Sequence, residues 1–254
     1  MSLNSYKELV KNLSFLKKNF KLYSIKAEFE AEGSSIYDIA RLKILTNKIG
    51  TKLKVKIGGV EAVNDVYNCI SLNVDGLIAP MVETEFALQK FIETIDNLNL
   101  EKRPELSINI ETITGYKNLD KIIKRAQGKI SNITIGRSDF SKSYFDNNIK
   151  QNSRIITQVI LDISNRLKKT DIKLTVGGGI DKKTILNYNK IKIWKYVDKI
   201  ETRKIILPAK SMLKSNAIEH CLNFEKNYII NKKEIYDLKI KSEIDRLTNL
   251  NTRK

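Results

Sequence analysis

The chain has 254 residues, a formal net charge of +17, two cysteines and three prolines. That length suits one large α/β domain or two small ones, and no linker divides it. The lysines are spread over nearly every segment rather than clustered, so the charge reads as composition bias and nucleic acid is not expected as a partner. Cys69 and Cys221 have no metal-ligand spacing and are expected to be reduced thiols in a cytoplasmic protein. No secretory leader is visible, and no apolar run approaches the ~20 residues that cross a bilayer, so no membrane is expected either.

In chain order, residues 3 to 19 set Leu3, Tyr6, Leu9, Val10, Leu13 and Leu16 on one face, the spacing of an amphipathic helix. In LYSIKAEFEAEG, Lys26, Glu28, Glu30 and Glu32 alternate with Ile25, Ala27, Phe29 and Ala31, which predicts a strand with one charged and one apolar face. Ser34 is the expected N-cap of a helix through Leu45. KLKVKIGG repeats the alternation, with Lys54 and Lys56 on its charged face. A helix from Val60 to about Leu72, a strand GLIAPMVE ending at Glu83 and a helix from Glu85 to Asn97 follow. LSINIE and NITIG read as two strands around a helix from Tyr116 to Gln127. Such a crossover makes its strands parallel and brings Glu111 and Asp139 to one sheet edge. The helix Arg154 to Leu167, the strand KLTVGGGI, a short helix from Lys182 to Asn189, the strand YVDKIETRKIIL and a helical tail after Pro208 complete the chain.

Seven alternations of strand and helix predict a parallel α/β fold. Central strands of an open sheet read as continuous apolar runs, whereas these carry one charged face. A closed (β/α)8 TIM-type barrel with a charged lumen accommodates them; an exposed sheet edge is the alternative. The expected layout is an N-terminal helix at 1–20, the barrel at 21–210 and a C-terminal helical extension at 211–254. One strand is missing from the count: Phe20 to Ser24 hides a degenerate first strand, or the N-terminal helix closes the wall.

Glu111 and Asp139 admit two readings, helix caps or ligands of a shared hard cation, and their place at C-terminal strand ends favours the second. Ile135 to Asp139 reads as a turn with free backbone N–H groups. The Gly177–Gly179 run is either a close-packed turn or an anion grip. Glu201 and Arg203 share a face, as an internal ion pair or as an anchor for an anionic substrate.

PMVET, INIETITGYKNL and ITIGRSDFSKSY together resemble the HpcH/HpaI aldolase and citrate lyase family, over about Ile25 to Leu207. The resemblance implies a pyruvate/phosphoenolpyruvate-type TIM barrel that makes or breaks a carbon–carbon bond beside a 2-oxo acid or an acyl thioester. It implies Mg²⁺ or Mn²⁺ on Glu111 and Asp139, with the amides of Ser138 and Asp139 holding a substrate carboxylate. Gly136, Gly178, Gly179 and Arg203 complete the expected substrate contacts. Two departures are plain: Lys56 stands where such aldolases carry an arginine, and EFEAEG where they carry a histidine. The only histidine, His220, lies in the C-terminal helix, where a surface or packing role is expected rather than catalysis. Proton transfer is therefore assigned to Glu30 or to a metal-bound water, with Lys56 beside the developing oxyanion and Glu28 paired to lysine. A Schiff-base aldolase using Lys56, activated by neighbouring Lys54, and an inactive barrel serving as a scaffold are the alternatives. The tail predicts a homo-oligomer formed through its terminal helix.

Overall fold

The computed structural model describes residues 4–253; Leu3 of the predicted N-terminal helix falls outside them. In order come α1 (Asn4–Phe20), β1 (Ser24–Glu28), α2 (Ile36–Ile49), β2 (Lys52–Lys56), α3 (Val63–Ser71), β3 (Gly76–Ala79), α4 (Glu85–Asp96), β4 (Glu105–Ile110), α5 (Ile113–Lys117) and α6 (Leu119–Ala126). They are followed by β5 (Asn132–Gly136), α7 (Arg137–Lys142), α8 (Arg154–Leu167), β6 (Lys173–Gly177), α9 (Lys182–Lys190), β7 (Lys199–Glu201), β8 (Ile205–Pro208), α10 (Ala209–Met212) and α11 (Ala217–Asn251).

The eight strands close into one barrel in sequence order. The missing strand is neither at Phe20 nor supplied by the N-terminal helix. YVDKIETRKIIL is two strands: Thr202 breaks the run by bonding back across the turn, its hydroxyl accepting from the Ile205 N–H and its own N–H donating to the Ile205 carbonyl. β8 thus returns antiparallel to β7 and closes on β1, also antiparallel, with Ser24 opposite Ile206. Seven strands are parallel and the eighth is not, which corrects the all-parallel expectation. With no helix between β7 and β8, the periodicity of a βα repeat is lost there.

The alternation of the sequence maps onto the two faces of the wall. Ile25, Ala27, Leu53, Val55, Leu77, Ile108, Ile133, Val176 and Ile200 point outward and are fully covered by helices. Each such Leu, Ile or Val contributes roughly 1.5–3 kcal/mol on burial. Ser24, Lys26, Glu28, Lys54, Ser107, Asn109, Asn132, Thr134, Thr175, Lys199 and Glu201 take the intervening positions and are also buried, so the lumen is polar along its length. Barrel interiors are ordinarily packed with branched apolar side chains. Here hydrogen bonds fill the middle, such as Thr175 to Asn132 at 2.7 Å and Asn132 to Thr134 at 3.1 Å.

Local signals place the helices. Ser35, one residue later than expected, is the N-cap of α2, in a reciprocal capping box with Asp38. β3 stops at Ala79, short of Glu83, because Pro80 lacks the N–H a ladder needs and Met81 turns into the left-handed region at φ +51°. Gly136 leads directly into the six-residue helix α7, so the expected turn at Ile135 to Asp139 is a helix start. α1 buries Leu9, Leu13, Leu16 and Phe20, packing against α11 and α2. His220 stacks 4.3 Å from Phe15 and 5.8 Å from Phe20, the packing one of its two expected roles.

Candidate active site

Parallel strands deliver their last residues to one rim, and at that rim the lumen opens into a cavity of about 170 Å³. Its wall includes Lys26, Glu28, Lys56, Asn109, Glu111 and Glu201 from the strand ends. Gly136 at the end of β5, Ser138 and Asp139 in the first turn of α7, and Gly178, Gly179 and Arg203 from the loops also line it.

Glu111 is the anchor. The cap that its following helix requires is supplied by Thr112, whose hydroxyl accepts from Gly115 N–H, so Glu111 is released from the capping role. Its carboxylate takes N–H bonds from Met81 at 3.1 Å and from the Asn109 amide at 3.2 Å. Met81 holds that N–H in place from a backbone region that costs a side chain of its size about 1–3 kcal/mol. The carboxylate lies across Gly136: a Cβ there would stand 2.6 Å from Glu111 Oε1, so only glycine fits at the end of β5. Burial raises the Glu111 pKa above the ordinary carboxylate value; Lys56, the Met81 N–H and Lys26 oppose that rise and Asp139 adds to it. Among the described residues no lysine or arginine forms an ion pair with Glu111.

Asp139 sits in the first turn of α7, half-exposed, with Lys142 3.2 Å away on the solvent side. It is not an N-cap. Arg137, beside it, was not singled out from the sequence. Its guanidinium is buried and donates to the Gly177 carbonyl at 3.1 Å, the Gly178 carbonyl at 2.6 Å and Asn152 at 2.8 Å, tying the end of β6 and the segment before α8 to α7. Gly178 and Gly179 are both left-handed, at φ +79° and +60°. A Cβ on Gly178 would lie 2.6 Å from the Ser138 backbone nitrogen, so close packing of the loop onto α7 is by itself sufficient reason for glycine.

Across the rim runs a row of alternating charges. Glu201 is 2.7 Å from Lys26, Lys26 is 3.2 Å from Glu28, and Glu28 is 3.2 Å from Lys56. Burial alone would lower the Lys26 pKa, but Glu201 and Glu28 hold it above the ordinary lysine value. Burial would likewise raise Glu28, and Lys26 and Lys56 bring it below the ordinary value. Glu28, Lys56 and Glu111 therefore share one cavity, as the alternating pattern predicts.

Several sequence expectations are corrected. Glu30 lies beyond the end of β1, exposed, against Gly58 and outside the cavity wall, because the strand stops at Glu28. Lys54 does not sit beside Lys56 as an activating charge; it reaches the opposite end of the lumen and bonds Glu105 at 2.6 Å. Arg203 does not pair with Glu201: the hairpin turn swings it outward, half-exposed, 3.9 Å from Glu225. Lys26 as the partner of Glu201 was missed, since the pair joins β1 to β7 and depends on how the barrel closes. No cluster of three His, Cys, Asp or Glu residues with metal-holding geometry occurs among the described residues. Glu111 and Asp139 line the same cavity, and Glu111, buried, cradled on glycine and without a lysine or arginine ion pair among the described residues, is an oxygen donor of the kind a hard cation takes.

No family model and no curated protein matches the sequence. Solved structures do. An HpcH/HpaI aldolase/citrate lyase family protein from Burkholderia cenocepacia J2315 is similar at TM-score 0.64 and 11% identity, covering 95% of this chain and 92% of that one. The HpcH/HpaI aldolase from Desulfitobacterium hafniense DCB-2 is similar at TM-score 0.62 and 10% identity, covering 80% and 83%. A variant of the citrate synthase SbnG follows at TM-score 0.56 and 14% identity, covering 77% and 80%. At such identities the likeness is one of fold, and the fold is that of the HpcH/HpaI aldolases and citrate lyases whose motifs this sequence resembles.

Proposed function

We propose that the chain is a divalent-metal-dependent carbon–carbon lyase of the aldolase type, acting through the enolate of a 2-oxo acid. The observation that supports this most directly is Glu111, a buried carboxylate with two N–H donors, a glycine cradle and no cationic partner among the described residues, facing a rim cavity beside Asp139. Glu111 and Asp139 are the residues that hold Mg²⁺ or Mn²⁺; oxygen-only donors suit these hard ions. When bound, the ion supplies Lewis-acid polarisation of the 2-oxo group and lowers the energy of the enolate.

The chain's own residues do the rest. Lys56, at the end of β2, places an ammonium group near the developing oxyanion. The backbone N–H groups of Ser138 and Asp139 receive the substrate carboxylate at the part of the rim that Gly136, Gly178 and Gly179 line. Arg203, on the rim, is suited to an anionic distal group of a 2-oxo acid or an acyl thioester.

Calorimetric titration with Mn²⁺, then with pyruvate and oxaloacetate, tests the reading: saturable metal binding that strengthens 2-oxo acid binding is expected. A flat response in every titration would favour an idle scaffold. Borohydride reduction with pyruvate is expected to leave Lys56 unmodified, and a covalent adduct there would replace this reading with a Schiff-base one.

A cytoplasmic location and a homo-oligomer belong to the same reading. No described helix is long and apolar enough to cross a membrane, and both cysteines are free and buried. Past Tyr236, α11 carries Leu238, Ile240, Ile244, Leu247 and Leu250, each more than half exposed, and a second subunit is the expected cover. Light scattering on the full chain and on a chain ending after Asp237 decides this. The cut preserves Lys232 and Tyr236, which clasp Asp38 at 3.5 and 3.1 Å, and a monomeric full-length protein would refute the assembly.

A further inference from the structure

The rim holds a second carboxylate set on a glycine. A Cβ on Gly177 would stand 2.7 Å from Glu201 Cγ and 2.9 Å from its Oε1. Gly177 is the register partner of Gly136, the cradle of Glu111. Glu111 leans in from β4 and Glu201 from β7, so the two carboxylates approach neighbouring glycines from opposite sides and close on one cavity.

Their surroundings differ. Both Glu111 oxygens have N–H donors. Glu201 has Lys26 at 2.7 Å on Oε1, while its Oε2 is buried and receives nothing among the described residues. Leaving a buried acceptor unsatisfied costs about 1–3 kcal/mol, so such an atom on a side chain that lines the cavity calls for a proton or a ligand donor. Glu201 caps no helix and does not pair with Arg203, so no structural duty beyond Lys26 accounts for it. The cavity also lacks a histidine, and Glu30 is outside it.

Resting on the lyase reading above, we propose that Glu201 is the proton-transfer residue of this cavity and that Lys26 positions it. In the cleavage direction Oε2 accepts the proton of a hydroxyl on the carbon beyond the bond that breaks. The O–H electron pair becomes the new C=O bond, and the carbon–carbon pair passes into the enolate of the 2-oxo acid. The carboxyl so formed returns the proton to the enolate carbon, releasing the 2-oxo acid and restoring the carboxylate. Lys26 keeps its own proton, since two carboxylates stabilise its charge, and by occupying Oε1 it directs the proton to Oε2.

Deuterium uptake at the methyl carbon of pyruvate, followed by NMR in D₂O with Mn²⁺ and the full chain, is the test. Wild-type protein exchanges these protons; no exchange would overturn the lyase reading and this assignment with it. In Glu201→Gln, exchange falls by about 10²–10⁴-fold while Mn²⁺ affinity, read by calorimetry, is unchanged. Exchange at the wild-type rate in that variant would overturn the assignment and leave the lyase reading standing. If Glu201→Gln unfolds early, Glu201→Asp keeps the charge on Lys26 and draws Oε2 back by one methylene: an exchange rate at least about tenfold lower supports the role, and an unchanged rate overturns it. Formate restores exchange to Glu201→Ala, which a purely structural carboxylate would not allow. Lys26→Gln lowers kcat with KM for pyruvate retained; a change in KM alone would remove the positioning role.

Discussion

The lumen has two charged ends, and they are built on opposite terms. At the end where the parallel strands begin, Glu105 is saturated: Lys54 at 2.6 Å, Ser131 at 3.0 Å and Lys52 at 3.2 Å bond its oxygens, and Tyr23 donates across both at 2.9 Å. Burial would raise the Glu105 carboxyl, but Lys54 above all brings it down to about 2. At the rim, Glu201 Oε2 and Asn109 Oδ1 find no partner among the described residues, and Glu111 is pushed up. A buried polar network that satisfies its members fixes the fold, and one that leaves acceptors open is waiting for something else. The same residue types are thus fully paired at one end and, among the described residues, left with open acceptors at the other.

The largest break in this contrast comes at the rim. Glu111→Gln is expected to abolish detectable Mn²⁺ binding in calorimetry and to lower pyruvate exchange by at least about 10²–10³-fold. Its melting temperature should hold or rise, because the substitution removes a carboxylate that burial already disfavours. Unchanged divalent affinity in both Glu111→Gln and Asp139→Asn would make these carboxylates structural.

Glu105→Ala should do the reverse. It strands Lys54, whose side chain is 2% exposed, without its partner. Removing one member of a buried pair costs about 3–5 kcal/mol, which urea denaturation reads directly, while Mn²⁺ affinity stays as it was. The acid limb reports the same bond. The folded carboxyl titrates at about 2 against an ordinary value of 4.5, so its contribution is complete above pH 4.5 and disappears as pH falls toward 2. That loss is about 3 kcal/mol, and Glu105→Ala should not show it.

How much of this was legible without coordinates follows from which contacts are local. Alternation along LYSIKAEFE and KLKVKI predicts a polar lumen because side-chain period is a property of one strand, and Glu28 meeting Lys56 follows from neighbouring parallel strands in register. The place of Glu111 at the rim was legible because a parallel strand carries its last residues to that end. Contacts set by closure were not. Lys26 meets Glu201 only because β8 folds back as a hairpin, and a turn made by Thr202 rather than by Gly or Pro gave no breaker signal inside YVDKIETRKIIL. Glu30 continued the alternation on paper, but the strand ends two residues earlier. Arg137 looked like any surface arginine; its burial depends on carbonyls from a loop forty residues on.

The smallest expected effect sharpens the comparison most, because it asks whether the saturated end carries a surplus. Lys52, Lys54 and Lys199 all approach the Tyr23 ring, at 5.2, 5.1 and 4.5 Å, yet Glu105 bonds only the first two. Lys199 is left with the ring face. Burial, with Lys54 adding repulsion and Glu105, Asp198 and Glu201 opposing it, lowers its pKa from 10.5 to about 8. At pH 7 the amine is charged in both folded and unfolded chains, and holding that charge inside costs stability. Between about pH 8 and 10.5 the unfolded chain binds more protons than the folded one, so stability rises with pH across that window. Lys199→Met keeps the aliphatic stem over Tyr23 and removes the charge. It should stabilise the fold at pH 7 by about 2 kcal/mol, with the advantage shrinking as pH approaches 10. Burial and Glu105 hold the Tyr23 phenol above its ordinary value, which acts in the opposite sense near pH 10, but it does so in both proteins and cancels in their difference. Urea denaturation of the two proteins at pH 7, 8.5 and 10 measures that difference. A constant gap would mean that Lys199 is charged throughout and that the Tyr23 face compensates its burial in full.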